Sequence, residues 1–249
     1  VRIDFNCDLG EGCGDDAAII PLVTSASIAC GGHAGDEATM RTTLRLCREH
    51  GVAAGAHPGY PDREGFGRRE LPFSPDEIRG FVREQMDTLG AIAASENMRL
   101  AHVKPHGALY NVAARDRLIA EAIVAAVREV DPELVVFGLS GSQLTASAEA
   151  ADLRVAHEVF AERRYEADGS LTPRSRDEAV IHGLGETIEQ VRGFARDGSV
   201  VARTGERIRL RADTLCLHGD RADAAQFARS IRDALAADGI RILPVGAVE

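Results

Sequence analysis

Of the 29 lysine and arginine residues in this 249-residue chain, one is lysine, and it stands in HVKPHGALYN (102–111) between His102 and His106. Arginine is a wide planar fork that stays charged, whereas lysine is a compact point charge whose pKa falls on burial. A narrow, partly dry pocket can therefore use Lys104 as a proton donor or to hold an anion. Alternate residues of a strand share a face. A strand through this segment sets Leu100, His102 and Lys104 together, with His106 just past the Pro105 exit.

Other segments carry chemistry of the same kind. DFNCDLGEGCGDD (4–16) places Asp4, Asn6 and Asp8 on one strand face and Glu11 in a Gly-rich turn. Two carboxylates so placed serve as base and partner, or as metal ligands. ACGGHAGDEATM (29–40) has a Gly-rich turn that offers N–H groups to an anion, with His33 beside it. GAHPGYPDREGFGRR (55–69) puts His57 at a strand end. Asp8, His33 and His57 make an alternative metal set, although no local HxxxH pair supports one. GLSGSQLT (138–145) resembles a small phosphate cradle, but no GK[ST] follows and turn chemistry accounts for it. LHGD (217–220) brings His218 and Asp220 to a late strand end. Glu158, Arg163, Arg164 and Arg174 come from one polar stretch, and arginine there suits a substrate carboxylate.

The elements that position these residues are short apolar runs alternating with helical patterns. Strands are predicted at 2–8, 26–30, 52–57, 99–104, 134–138, 153–158 and 213–219. Helices are predicted near 35–50, 75–96, 114–129, 141–151, 175–196 and 222–238, with Asp36, Ser74, Ser140 and Asp220 as N-caps and Gly51 and Gly239 as stops. Strand–helix alternation means parallel βαβ units. Polar and ionisable residues gather at the C-terminal end of almost every strand, and a barrel brings those ends to one working rim. The expectation is an α/β fold: a distorted TIM-like barrel of about seven parallel strands, one domain over residues 1–249. Two stretches interrupt it. FAERRYEADGSLTPRS (160–175) is too polar to continue a unit and turns at Asp168-Gly169, and SVVARTGERIRLRAD (199–213) reads as a hairpin around Gly205.

Composition narrows the function classes. The net charge is −10, with no basic run interleaved with aromatics, so nucleic acid is not an expected partner. No apolar run approaches the length of a membrane span. Five scattered cysteines without a CxxC fit reduced thiols, and with no signal peptide at the start a cytoplasmic protein is expected.

Taken together, DFNCDLGEGCG (4–14), SIACGGHAGD (27–36), GAHPGYPDREGFGRR (55–69), VKPHGALYN (103–111), FAERRYEADGSLTPRS (160–175) and ADTLCLHGD (212–220) resemble the LamB/YcsF family, to which the A component of 5-oxoprolinase belongs. The resemblance runs from end to end. It implies a fold related to the glycoside hydrolase/deacetylase barrels. It also implies ATP-dependent opening of 5-oxoproline (pyroglutamate) to L-glutamate, with subunits B and C as partners, ATP as co-substrate with Mg2+, and no tightly bound cofactor. On that footing Asp8 or His57 activates water, Lys104 stabilises negative charge, and His106 and His218 shuttle protons. Asn6, Glu11, His33, Asn111, Glu158, Arg163, Arg174 and Asp220 surround the substrate. Two alternatives stand beside it: a metal-dependent amidase or carbohydrate deacetylase, and a non-catalytic substrate-binding subunit.

Overall fold

A computed structural model of the chain describes residues 1–219 and 223–246. Strands β1 (Arg2–Leu9), β2 (Ser25–Ala29), β3 (Ala53–His57), β4 (His102–Val103), β5 (Val135–Leu139) and β6 (Val155–Phe160) pair in chain order. After them come β7 (Ser199–Val201), β8 (Arg207–Arg209), β9 (Thr214–His218) and β10 (Arg241–Ile242). β9 pairs in parallel with both β6 and β1, which closes a seven-stranded parallel barrel. β10 pairs with the first residues of β1, below the closure. β7 and β8 form the antiparallel hairpin expected around Gly205.

Helices α1 (Asp16–Ile19), α2 (Glu37–His50), α3 (Pro75–Ser95), α4 (Gly107–Arg115), α5 (Arg117–Val130), α6 (Gln143–Ala150), α7 (Leu184–Arg192) and α8 (Ala224–Ala237) connect the strands. Local chemistry sets their ends. Asp36 caps α2, and Gly51 ends it in the left-handed region at φ 66°. Ser74 and Glu77 form a capping box at α3, with Pro75 in the first turn. The helix predicted near 114–129 is α5, and α4 just before it is not among the predicted helices. Asp116 accepts from the Leu118 and Ile119 N–H groups and starts α5 afresh. Ser142, not Ser140, caps α6. The cap expected at Asp220 lies outside the described residues. The helix predicted at 175–196 begins only at Leu184, because the long segment after β6 extends over the rim. There Tyr165 bridges to Leu171 and Arg163 to Val180, with the turn at Gly169.

The barrel is buried on both faces, as parallel sheets are. Along β1, Ile3, Phe5, Cys7 and Leu9 join the apolar layer beneath the helices. Asp4, Asn6 and Asp8 point to the axis, where a hydrogen-bonded polar column takes the place of the branched aliphatics usual in such barrels. At its base the Asp4 carboxylate accepts from Thr24 (2.7 Å), Ser25 (2.7 Å) and Thr214 (2.5 Å) hydroxyls. In the middle layer Asn6 Nδ2 donates to Thr214 Oγ1 (2.7 Å) and Glu158 Oε1 (3.0 Å), while His102 Nε2 meets Ser27 Oγ at 3.2 Å. β4 is only two residues long, shorter than the predicted 99–104 at both ends, and Pro105, which has no N–H, bars its extension past Lys104.

Candidate active site at the strand C-terminal ends

Lys104 crowns this column. It is 2% exposed, and its Nζ lies 2.8 Å from Asp8 Oδ1 and 2.7 Å from Glu158 Oε1. It also donates to Asn6 Oδ1 at 3.2 Å. Burial opposes its charge, but the carboxylates of Asp8 and Glu158 outweigh it, so its pKa is raised well above the ordinary lysine value. An ammonium held this firmly is suited to stabilising an anion and unsuited to giving up its proton. Lysine meets this demand where arginine cannot, because three donors on one nitrogen must reach Asp8, Glu158 and Asn6 inside a closed space.

Glu158 is fully buried and also accepts from the Tyr110 hydroxyl at 2.7 Å. Asn6 and Glu158, expected against the substrate, therefore lie beneath the floor and hold Lys104 from below. Neither lines the cavity above it.

That cavity measures about 710 Å³, within the range of small-molecule sites. Asp8, Glu11, His57, Lys104, His106, Asn111, Arg163, Arg174 and His218 line it, drawn together from five chain segments. The Ser140–Ser142 turn contributes to the wall as well. Asp220 lies outside the described residues.

One wall is a histidine cluster. Glu11 Oε1 is 3.2 Å from both His33 Nε2 and His106 Nδ1. His57 Nε2 is 3.0 Å from His106 Nδ1 and 3.5 Å from Asp8 Oδ2. Burial pushes His57 down to about 3 and His33 below its usual value. Burial would raise Glu11 and Asp8, but the neighbouring histidines, with Lys104 beside Asp8, hold both below the usual carboxylate range. His33 stands behind His106, stacked on it at 3.6 Å, and does not reach the cavity. Gly67, at φ 61°, allows this packing: a Cβ there would come 2.8 Å from His33 Cβ and 2.9 Å from His106 Cδ2. Among the described residues, the donor atoms of Glu11, His33, His57 and His106 lie within 4.8 Å of one another. Asp8 groups instead with Cys216 and His218, so the alternative metal set of Asp8, His33 and His57 is not the one assembled.

The opposite wall holds a pair that sequence reasoning missed. Glu162, nearly fully buried, accepts from His218 Nδ1, and Arg174 Nη2 donates to His218 Nε2 at 3.1 Å. Burial opposes the charge of Glu162, but the adjoining His218 holds its pKa below the ordinary value. A carboxylate that fixes one imidazole nitrogen leaves the other aimed into the cavity as a base, the logic of the catalytic triad. The only sequence signal for Glu162 was an acid four residues beyond a predicted strand end. Arg174 is exposed, whereas Arg163 donates to the Thr172 (2.7 Å) and Ala179 (3.3 Å) carbonyls and braces the loop. Arg164 does not line the cavity and pairs with Glu186 at 2.7 Å.

None of the five cysteines forms a disulfide, and no helix among the described residues is long and apolar enough to cross a membrane.

Comparison with known proteins places this arrangement. The chain is 42% identical to the lactam utilization protein from Thermus thermophilus, with a TM-score of 0.92 over 98% of this chain and 99% of that one. The family 4 carbohydrate esterase from Streptomyces lividans, at 10% identity and a TM-score of 0.50 over 97% of this chain and 91% of that one, shares the fold alone. The A component of 5-oxoprolinase from Bordetella pertussis is 54% identical over 245 residues, 96% of this chain and 97% of its own length. That of Staphylococcus carnosus is 49% identical over 251 residues, 99% of this chain and all of its own. The LamB/YcsF family model matches residues 3–249, and the chain belongs to that family.

Proposed function

We propose that the chain is the A component of an ATP-dependent 5-oxoprolinase, which opens the lactam ring of 5-oxoproline to L-glutamate together with subunits B and C. The observation that carries the reading is the end-to-end likeness to relatives of that name. The cavity supports it, because Arg174, His218 and Lys104 each have a use in opening a cyclic amide. Arg174, exposed at the rim, takes the substrate carboxylate in a charge-assisted pair. That exchange withdraws it from His218 Nε2. His218, oriented by Glu162, then removes a proton from water as the oxygen adds to the lactam carbonyl carbon. The Lys104 ammonium stabilises the negative charge that develops. His218 returns the proton to the ring nitrogen as the C–N bond breaks.

An unstrained amide is a poor electrophile; transfer of the ATP γ-phosphoryl group to its oxygen makes the carbon labile to water, C–N cleavage then leaves an acyl phosphate, and a second water releases glutamate and inorganic phosphate from it. This chain has no GK[ST] segment, so at least part of the work on Mg2+-bound ATP falls to the partner subunits. The test is reconstitution of the three subunits, with glutamate and ADP release from 5-oxoproline as the readout. Release is expected with all three and not with this chain alone, and Lys104→Arg abolishes it while the chain still folds. A folded three-subunit complex that binds 5-oxoproline without releasing glutamate would refute the reading in favour of a binding subunit. Release of acetate from N-acetyl sugars by this chain alone would refute it in favour of a deacetylase.

A further inference from the structure

When both rings are neutral, His57 and His106 face each other at the cavity wall with no proton to share. His57 Nδ1 is 2.7 Å from the Lys104 carbonyl oxygen, and His106 Nε2 is 2.9 Å from that of Phe66. A carbonyl oxygen only accepts, so each neutral ring commits its single N–H to the backbone. His57 Nε2 and His106 Nδ1 are then both lone pairs, 3.0 Å apart. A third acceptor, Glu11 Oε1, lies 3.2 Å from the second and 3.8 Å from the first. Three acceptors converge with no donor among them.

The geometry favours a metal ion at that point. The His57 and His106 ring planes stand at 90°, so one position can lie in both planes, as ligation through in-plane lone pairs requires. The separations of 3.0, 3.2 and 3.8 Å bracket the distance of about 3.3 Å between neighbouring ligands of a tetrahedral zinc with 2.0–2.1 Å bonds. His33 cannot be a further ligand. Its ring is parallel to that of His106 within 2° at 3.6 Å, and no ion lies in the planes of two stacked rings. It donates Nε2–H to Glu11 instead and sets the direction of that carboxylate, as partners of metal ligands do. The two backbone carbonyls fix the tautomers of the other pair in the same way.

We propose that Glu11, His57 and His106 hold one divalent first-row cation, zinc on this donor set, with its fourth position open to the cavity. All three ligands line that cavity, whereas His33 does not. Bound there, the ion would act as a Lewis acid toward an oxygen of whatever occupies the cavity. The assignment does not depend on which substrate that is.

The test uses the whole chain, stripped with a chelator and titrated with Zn2+ by calorimetry, and with Co2+ by absorption. One Zn2+ per chain is expected, together with the intense visible bands of tetrahedral Co2+ and no thiolate-to-cobalt charge transfer. Glu11→Gln and His57→Gln each weaken Zn2+ binding by more than about 100-fold, while His33→Gln weakens it by about 10- to 100-fold and keeps the stoichiometry. A wild-type chain that takes up no Zn2+ or Co2+ overturns the proposal, since the two rings then share an extra proton. Binding that shows thiolate charge transfer, or that survives both ligand substitutions unchanged, overturns it too. The wild-type measurements decide the matter even where a variant does not fold.

Discussion

Lys104 is wedged between two buried carboxylates, 2.8 Å from Asp8 and 2.7 Å from Glu158, and three variants measure what that arrangement is worth. Lys104→Met is one atom shorter, keeps the unbranched stem and removes the charge, leaving two carboxylates facing each other out of water. Breaking a buried pair in this way costs about 3–5 kcal/mol, because an uncompensated charge is left behind. Against a typical stability of about 5–15 kcal/mol that is a large fraction, and the variant should unfold at much lower urea. Glu158→Gln removes one of the two anions and keeps an acceptor for Tyr110, so it costs less, about 1–3 kcal/mol. In the double variant the remaining anion is Asp8, which has the rim beside it. Its loss should fall short of the sum of the single losses by about 2 kcal/mol, the coupling expected of groups in direct contact. The ammonium's pKa is raised above its ordinary 10.5. Its contribution is therefore complete below that value and lost only at higher pH, so the cost of Lys104→Met should be flat from about pH 6 to pH 9. Urea unfolding of the four proteins is the assay. Additive losses within about 0.5 kcal/mol would show that Lys104 and Glu158 do not act as a unit, and the polar column would lose its keystone.

Three further outcomes are open to direct measurement. His102 is held down to about 3 by burial and then by Lys104; stability that is complete above its unfolded value of 6.5 is lost as pH falls, by about 2 kcal/mol at pH 5, and His102→Gln should flatten that acid slope. Asp4 is pushed up to about 6 from 3.8, chiefly by burial. Its contribution is present below 3.8 and lost as pH rises through 6, with an upper limit of about 3 kcal/mol, so wild type minus Asp4→Asn should show a slope of opposite sign to that of His102. Glu162→Gln should lower kcat by about 100-fold or more with little change in KM, since it releases the orientation of His218 without touching the group assigned to the substrate carboxylate; a change confined to KM would remove Glu162 from the chemistry.

Much of this site could be read from residue order. Period-two alternation correctly grouped Asp4, Asn6 and Asp8, and His102 with Lys104, because a strand face is a local property. It could not give depth. Asn6 and Glu158 share faces with rim residues but lie one layer down, and only the closed register, which sets Glu158 opposite Thr214 and Asn6 opposite Cys216, shows that they support the site from within. The parallel barrel was legible in the alternation of elements. The break between α4 and α5 was not, because Asp116 reads as one more polar position in an apolar helical pattern until its side chain is seen capping the next helix. Glu162 and the pairing of Glu11 with His106 depend on loops folding back over the rim, a long-range event with no periodic trace.

The charged axis has a consequence for any attempt to redesign this protein. In most barrels the interior can be refilled with other aliphatic side chains and the working loops hardly notice. Here the groups that keep the staves together are continuous with those that face the ligand, so a hydrophobic refit of Asn6, Lys104 and Glu158 could yield a hardier scaffold while erasing the electrostatics above it. Selection for heat resistance alone would be expected to drive such a lineage toward sturdy, inert barrels.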